Sequence, residues 1–284
     1  MNLLAAVFAA AVLVAPASAQ DSGSEHWDAR LTAVTGEVVV HPAGGGDEVS
    51  GEADMPLEEG DRIVTSADST AEVALDGGSL ITLDANSDFT LENTQKSASI
   101  FALTLGSLLA KIQKLGSQSL RVRTPTSVAA VRGTEFGVDV EGEQSHVGVF
   151  DEGRVEVQGQ SGGATVLTSN EETSVARGQA PMRAGPLRRF AARRAMMRAR
   201  IRRLAAVRRN WRPMAAAERR QAREGALKRL RRRRLNRLRR GSRQRQFPEN
   251  RERARGRQRR RPRRKPAPKT KPGRRAPKSP RRRR

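Results

Sequence analysis

Charge divides this chain into two parts of different character. Residues 21–186 contain 11 Lys and Arg against 26 Asp and Glu, a formal net charge of −15. Residues 187–284 contain 44 Lys and Arg against 4 Asp and Glu, a net charge of +40. The positive sign of the overall charge, +25, therefore comes from the second part alone. An acidic folded domain followed by a basic extension is predicted.

The first 19 residues have the pattern of a secretory signal peptide. An apolar run from Leu3 to Val14 precedes Ala17-Ser18-Ala19, a small-residue cleavage site. The run is shorter than the about 20 apolar residues that a single-pass anchor needs. We therefore expect cleavage near Ala19, a linker over residues 20–30 and an extracytoplasmic location, in the periplasm or secreted.

Period-2 alternation of apolar and polar residues dominates the acidic part. Val34, Val38 and Val40 share one strand face, and the turn residues Asp76-Gly77-Gly78-Ser79 separate two further apolar runs. Turn signals at this spacing predict an all-β fold, a single multi-stranded β-sandwich or roll. Leu105 to Leu115 stays open, because it also reads as a short helix.

The string from Thr124 to Val138, TPTSVAAVRGTEFGV, closely resembles the signature of the FecR domain. The strings GDRIVT (60–65) and DGGS (76–79) before it and VFDEGRVEV (149–157) after it occur in the same order as in the family. The resemblance extends over about residues 31–175. It implies a FecR-like β domain, which we place at residues 31–180.

We interpret the residues of this motif as structural, holding a β corner rather than a ligand. Pro125 drives Thr124 to extended geometry, and Gly133 is expected where the backbone excludes a side chain. Arg132 and Glu135 are placed to pair or to hydrogen-bond the corner. The motif residues are Thr124, Pro125, Arg132, Gly133, Thr134, Glu135 and Phe136.

The FecR resemblance implies a role in signalling. FecR proteins relay a signal from an outer-membrane receptor through a periplasmic domain to a cytoplasmic anti-sigma segment. The sigma-regulating role needs that segment and a membrane span, and the sequence displays neither. The resemblance therefore implies the periplasmic half, a β domain that binds an unknown protein or carbohydrate.

No catalytic residue, metal site or cofactor is predicted. Without cysteine, thiol catalysis and sulfur-ligated metals are excluded. The histidines, His26, His41 and His146, lack metal-ligand spacing. Residues 84–88 resemble the opening of a calcium loop, but Phe89 and Gln95 replace the glycine and glutamate of an EF-hand. A looser calcium site there stays open.

Residues 187–240 are predicted to form an Arg-rich amphipathic helical segment, and residues 241–284 a disordered tail rich in Arg, Pro and Lys. From Leu187 to Trp211 apolar residues repeat every seven positions, and arginines fill most of the positions between them. The candidate polyanion- or membrane-binding residues are Phe190, Met197, Ile201, Leu204, Trp211, Arg202, Arg203, Arg208 and Arg209.

Three partners fit the tail: anionic lipid or lipopolysaccharide, nucleic acid, which export makes less suitable, and the chain's own acidic domain. The sequence thus predicts an exported, non-catalytic FecR-like binding or signalling module, tethered by its tail to envelope polyanions. The alternative is a structural envelope protein in which the tail binds lipopolysaccharide, anionic lipid or nucleic acid.

Overall fold

The computed structural model describes residues 25–114, 119–212, 214–215, 217–225, 227–229, 232 and 235–236. The predicted signal peptide, with its cleavage site at Ala19, and the predicted disordered tail lie outside these residues.

Seventeen strands in the described residues form two sheets that share one long strand, β9 (Ser99–Lys111). Sheet I runs in the order β3-β2-β5-β8-β9-β10-β11-β14-β15. Its other strands are β2 (Val38–His41), β3 (Val49–Ser50), β5 (Arg62–Thr65), β8 (Asp88–Asn93), β10 (Leu120–Arg123), β11 (Ser127–Arg132), β14 (Arg154–Gly159) and β15 (Ala164–Leu167).

Sheet II runs in the order β4-β1-β6-β7-β9-β12-β13-β16-β17 and is antiparallel throughout. Its strands besides β9 are β1 (Ala29–Thr35), β4 (Met55–Leu57), β6 (Thr70–Leu75), β7 (Ser79–Leu83), β12 (Glu135–Glu141), β13 (Gln144–Val149), β16 (Glu171–Ala176) and β17 (Gly185–Pro186).

The two sheets meet at Gly106, in the middle of β9. Residues 99–105 of β9 pair with β8 and β10 in sheet I, and residues 106–111 pair with β7 and β12 in sheet II. Gly106 has φ +86°, and a Cβ there would lie 2.5 Å from the carbonyl oxygen of Asn86. A glycine is therefore required where the strand passes from one sheet to the other.

One apolar core fills the space between the sheets. It joins Val38 and Phe89 of sheet I to Leu31, Val73 and Val138 of sheet II, all almost fully buried. The rings of Phe89 and Phe101 meet edge-to-face at 5.7 Å. The predicted all-β sandwich with a basic helical segment after it is confirmed.

One boundary differs from the sequence expectation, and one alternative that the sequence left open is decided by the structure. Strand β1 begins at Ala29, inside the predicted linker, because Ala29 and Leu31 are needed in the core. Leu105 to Lys111 belong to strand β9 and form no helix.

The α-helix that follows the sandwich, α1 (Ala191–Asn210), lies within the predicted helical segment. Residues 217–225 are also helical. We call residues 187–212 the strap, because α1 crosses the outer face of sheet II.

Candidate functional site

The FecR-like motif begins with a buried hydroxyl network. The Thr124 hydroxyl accepts hydrogen bonds from the backbone N–H of Ser127 at 2.9 Å and from the hydroxyl of Ser145 at 2.9 Å. Thr126 donates to the carbonyl of Val175 at 3.0 Å. The network joins the turn between β10 and β11 to strands β13 and β16. These hydroxyls hold the turn.

The motif continues through a second tight corner between β11 and β12. Gly133 has φ +59°, and a Cβ there would lie 2.5 Å from Cβ of Lys114. The fully buried Thr134 donates to the carbonyl of Arg154 at 3.1 Å and accepts from its N–H at 3.2 Å. Phe136 then enters the core with its side chain fully buried.

Glu135 is bound by Lys111 and not by Arg132. Lys111 Nζ lies 2.9 Å from the Glu135 carboxylate and also contacts Glu152. Arg132 is exposed, and of the two sequence alternatives, pairing with Glu135 or hydrogen-bonding the corner, the structure gives the Glu135 carboxylate to Lys111 instead. Burial acts to lower the pKa of Lys111, but hydrogen bonds to Glu152 and Glu135 outweigh it and raise that pKa.

The strap buries its apolar side against the outer face of sheet II. Phe190, Met197 and Leu204 are 0, 1 and 3% exposed. Phe190 and Met197 pack with Leu109 and Phe150, and Leu204 packs with Leu80 and Ala74. The Phe190 ring meets Phe150 edge-to-face at 6.3 Å. Trp211 ends the series, with the guanidinium of Arg30 4.4 Å above its ring.

The seven-residue repeat of the strap fits the spacing of the strands below it. Seven helical residues advance about 10.5 Å, and two strand spacings measure about 9.6 Å. Phe190 accordingly lies over β12 and β13, Leu204 over β7 and β6, and Trp211 beside β1. The helix thus crosses the strands of sheet II, with one anchor for about every two strands.

Carboxylates of the domain bind the arginines beside these anchors. The side chain of Asp139, 3% exposed, is held by Arg189 at 2.8 Å, by Arg193 and by the Ser107 hydroxyl. Asp151 binds Arg194, and it binds Arg198 at 2.9 Å. The hydrogen bonds from Arg198 and Arg194 lower the pKa of Asp151.

A second basic segment, the helical residues 217–225, contacts the β4 edge of sheet II and the residue before β5 of sheet I. Arg219 binds Asp28 and donates to the carbonyl of Leu57 at 2.7 Å. Arg223 binds Asp61, whose side chain is fully buried, at 2.7 Å. The hydrogen bond to Asp61 raises the pKa of Arg223. Both arginines are therefore integral to the folded structure.

The sequence-predicted tail residues fall into two groups. Phe190, Met197 and Leu204 are buried and Ile201 and Trp211 half-buried, so the apolar side is covered by the domain. Arg202 and Arg209 are exposed on α1. Arg203 and Arg208 lie in the helix, with side chains outside the described residues.

Sequence reasoning missed the carboxylates that receive the strap. Asp139 alternates with core residues along β12 and so has the pattern of a solvent-facing residue. The glycines Gly137 and Gly148 were the available signal, because each removes a side chain from the same outer face.

The three histidines lie apart from one another, and Asp88 of the calcium-like loop is occupied by an arginine. His26 hydrogen-bonds Thr94 at 3.0 Å, and His41 lies 3.6 Å from Glu48. Burial lowers the pKa of His146. Asp88 accepts hydrogen bonds from Nε and Nη2 of Arg62, at 2.7 and 2.6 Å. Over the described residues, no group of three or more His, Asp or Glu side chains is placed to hold a metal ion.

Comparison with known proteins supports the family resemblance of the β domain. The family model described as FecR protein matches residues 61–156, which confirms the resemblance found in the sequence. No curated protein matches the chain. No helix in the described part of the chain is long and apolar enough to cross a membrane.

Two crystal structures, at 1.65 and 2.50 Å, of a "putative anti-sigma factor" from Parabacteroides distasonis ATCC 8503 are similar to the chain. In both, the identity is 18% and the TM-score 0.41, and the similarity covers 46% of this chain. It covers 62% of the other protein, less than two thirds of its length.

Proposed function

We propose, from the FecR match over residues 61–156, that this chain is a non-catalytic regulatory module that works outside the cytoplasm. The β domain binds a protein or carbohydrate partner, and the Arg-rich C-terminal part holds the module to an envelope polyanion. The motif favours a non-catalytic role, because its hydroxyls and its glutamate are engaged in holding two β corners.

The observation that carries the polyanion contact is the division of arginines in the strap. Arg189, Arg193, Arg194 and Arg198 bind carboxylates of the chain's own domain. The side chains of Arg202 and Arg209 are exposed. Guanidinium groups bind phosphate and carboxylate oxygens in a bidentate manner, so exposed arginines favour lipopolysaccharide or anionic headgroups.

The packing of the strap affects how the C-terminal part would bind a membrane. A helix that lies in the bilayer interface inserts its apolar side. Here Phe190, Met197 and Leu204 are buried against sheet II. With the strap packed against sheet II, an arrangement that we call the closed form, the chain therefore binds a polyanion through charge alone, without insertion of these side chains.

Binding of the full chain to lipopolysaccharide, anionic vesicles and heparin at several salt concentrations tests this proposal. We expect the affinity for all three to fall steeply with salt, since each contact with a charged group of a polyanion releases counterions. Exchanging Arg202→Gln and Arg209→Gln should reduce the slope of log K against log salt by about 1 for each residue.

The matched control replaces two exposed arginines of sheet I, Arg121→Gln and Arg154→Gln. This pair removes the same charge from the domain and should leave the slope unchanged. An equal effect of both pairs, or an affinity that does not depend on salt, would contradict the proposed contact. The same measurement with double-stranded DNA as an additional probe tests the alternative, and tighter binding to DNA than to any envelope polyanion would favour nucleic acid as the partner.

A further inference from the structure

The outer face of sheet II combines apolar, glycine and acidic positions in one recognition surface. We call it the strap site and define it by Leu80, Leu109, Gly137, Gly148 and Phe150, with the carboxylates of Asp139 and Asp151. The two glycines form a floor for the Phe190 ring, since a Cβ at either would lie 2.7 Å or less from that ring.

The strap site is selective for sequence and not only for charge. A generic polycation could pair with Asp151, whose side chain is 27% exposed. Asp139 is 3% exposed and is reached by Arg189 and Arg193, which flank Phe190 in the chain. An occupant must therefore present an aromatic residue with arginines one position before and three positions after it.

Isolated α1 lacks features that stabilise its own N-terminus. Its first turn contains no acidic residue but includes Arg193 and Arg194, a placement that the helix dipole disfavours. In the closed form, Asp139 and Asp151 supply the missing negative charge. Helix and strap site are therefore complementary, and each is less stable without the other.

Nothing in these contacts requires that strap and site belong to the same molecule. The contacts between them are apolar packing, hydrogen bonds and ion pairs. Within one chain the strap has an effective concentration in the millimolar range, so the closed form prevails. Once the strap leaves, Leu80, Leu109 and Phe150 form an apolar patch with an acidic rim, which favours a new occupant.

We propose that the strap site binds the strap of a second copy of this chain, so that two molecules associate by exchanging or donating straps. The charge complementarity of the −15 and +40 parts supports this partner, as does the fit of Phe190 to the Gly137–Gly148 floor. The proposal does not depend on polyanion binding.

Complementation between two full-length variants tests this proposal. The first, Phe190→Ala with Met197→Ala, keeps an intact site but has a defective strap. The second, Gly148→Val, has an intact strap but a blocked site, and position 148 has no positive φ that would exclude valine. We expect each variant alone to be monomeric at micromolar concentration. Their mixture should form a 1:1 heterodimer, measured by size exclusion with light scattering.

A triple variant that combines all three substitutions is the control. Mixed with the defective-strap variant, it offers no intact strap and should form no complex. If the first mixture stays monomeric while both variants keep a β-sheet circular dichroism spectrum, the proposal is wrong. A complex of equal amount with the triple variant would also overturn it, because association would then need charge alone.

A peptide assay keeps the test valid if the Gly148→Val variant does not fold. A labelled peptide of residues 187–212 should bind the full-length Phe190→Ala, Met197→Ala variant at least tenfold more tightly than it binds the wild-type chain. A peptide with its own Phe190→Ala change should lose at least tenfold in affinity. Equal affinity of the two peptides would refute the anchor role of Phe190 and the proposal with it.

Discussion

Gly137 and Gly148 are directly opposed in the antiparallel register of β12 and β13, and the ring of Phe190 lies over both. Neither glycine has a positive φ, so their backbone conformations would accept a side chain. What excludes a side chain is the ring from the strap. One of the two, Gly137, belongs to the FecR-like string, which links that motif to the strap contact.

A side chain at Gly148 would occupy the space of the Phe190 ring, which we call the ring slot, and should weaken the packing of the strap. We expect Gly148→Ala to reduce the free energy of unfolding by about 1–3 kcal/mol, as overpacking does, because the added Cβ would lie 2.5 Å from Phe190 Cδ2. Urea denaturation measures this loss, and trypsin should cut the strap arginines faster. Gly44→Ala is the control, since no atom lies within 4 Å of a Cβ there. Equal proteolysis rates would contradict the ring slot.

Removing the charge of Asp139 should weaken the strap more than removing that of Glu141. Hydrogen bonds to charged groups contribute about 1.5–3 kcal/mol each. We expect the lower end for Asp139→Asn, because Arg189 and Arg193 are about one third exposed and can turn to solvent. Glu141 also contacts Arg189 but is 66% exposed, so Glu141→Gln should cost less than about 1 kcal/mol. Comparable losses by urea denaturation would refute the ranking.

Acid should weaken the contact of the strap with Asp151. Hydrogen bonds from Arg198 and Arg194 lower the pKa of Asp151 in the folded chain. Its stabilising contribution is therefore complete above the unfolded-chain pKa of about 3.9. It is lost as the pH falls through the lower folded pKa.

The Asp151→Asn variant should accordingly lose less stability than the wild-type chain between pH 5 and pH 2. Thermal unfolding measured across this range compares the two. Glu156→Gln, an exposed change on β14, is the control and should follow the wild-type profile. Parallel pH profiles for Asp151→Asn and the wild-type chain would show that this carboxylate does not hold the strap.

The corner at Gly133 should not tolerate valine. The residue has φ +59°, and Lys114 lies within 2.5 Å of a Cβ there. A β-branched residue in the left-handed region costs about 1–3 kcal/mol. We expect a matching loss in the free energy of unfolding. An unchanged denaturation midpoint, with Gly44→Val as the neutral reference, would show that the corner adapts.

Alternation in the sequence predicted the strands, because β-strand periodicity depends on local composition. It did not predict which outer faces are covered. Glu135, Gly137 and Asp139 alternate with core residues, as residues on a solvent-facing side of a strand do, yet all three are buried. The strap, about 50 residues later, covers Gly137 and Asp139, and Lys111 of β9 covers Glu135. Complementarity between residues so far apart in the chain leaves no local pattern.

The seven-residue repeat of the strap likewise did not predict which partner covers its apolar side. Phe190, Met197, Leu204 and Trp211 predicted an amphipathic helix, and α1 is present. A repeat of this kind indicates that one side needs an apolar partner, but a bilayer and a sheet satisfy it equally. Only the match between helix rise and strand spacing distinguishes the two, and it requires the strand order.

Strand β9 gives the sandwich a mechanical unity that two separate sheets would not have. Its residues 99–105 and 106–111 hydrogen-bond to four different strands, two in each sheet. Because β9 is the central strand of both sheets, its detachment from one sheet would also break the hydrogen bonds that it makes near Gly106 in the other sheet. The amides on both sides of Gly106 should therefore exchange with deuterium in a single cooperative opening, with the same free energy and the same dependence on denaturant.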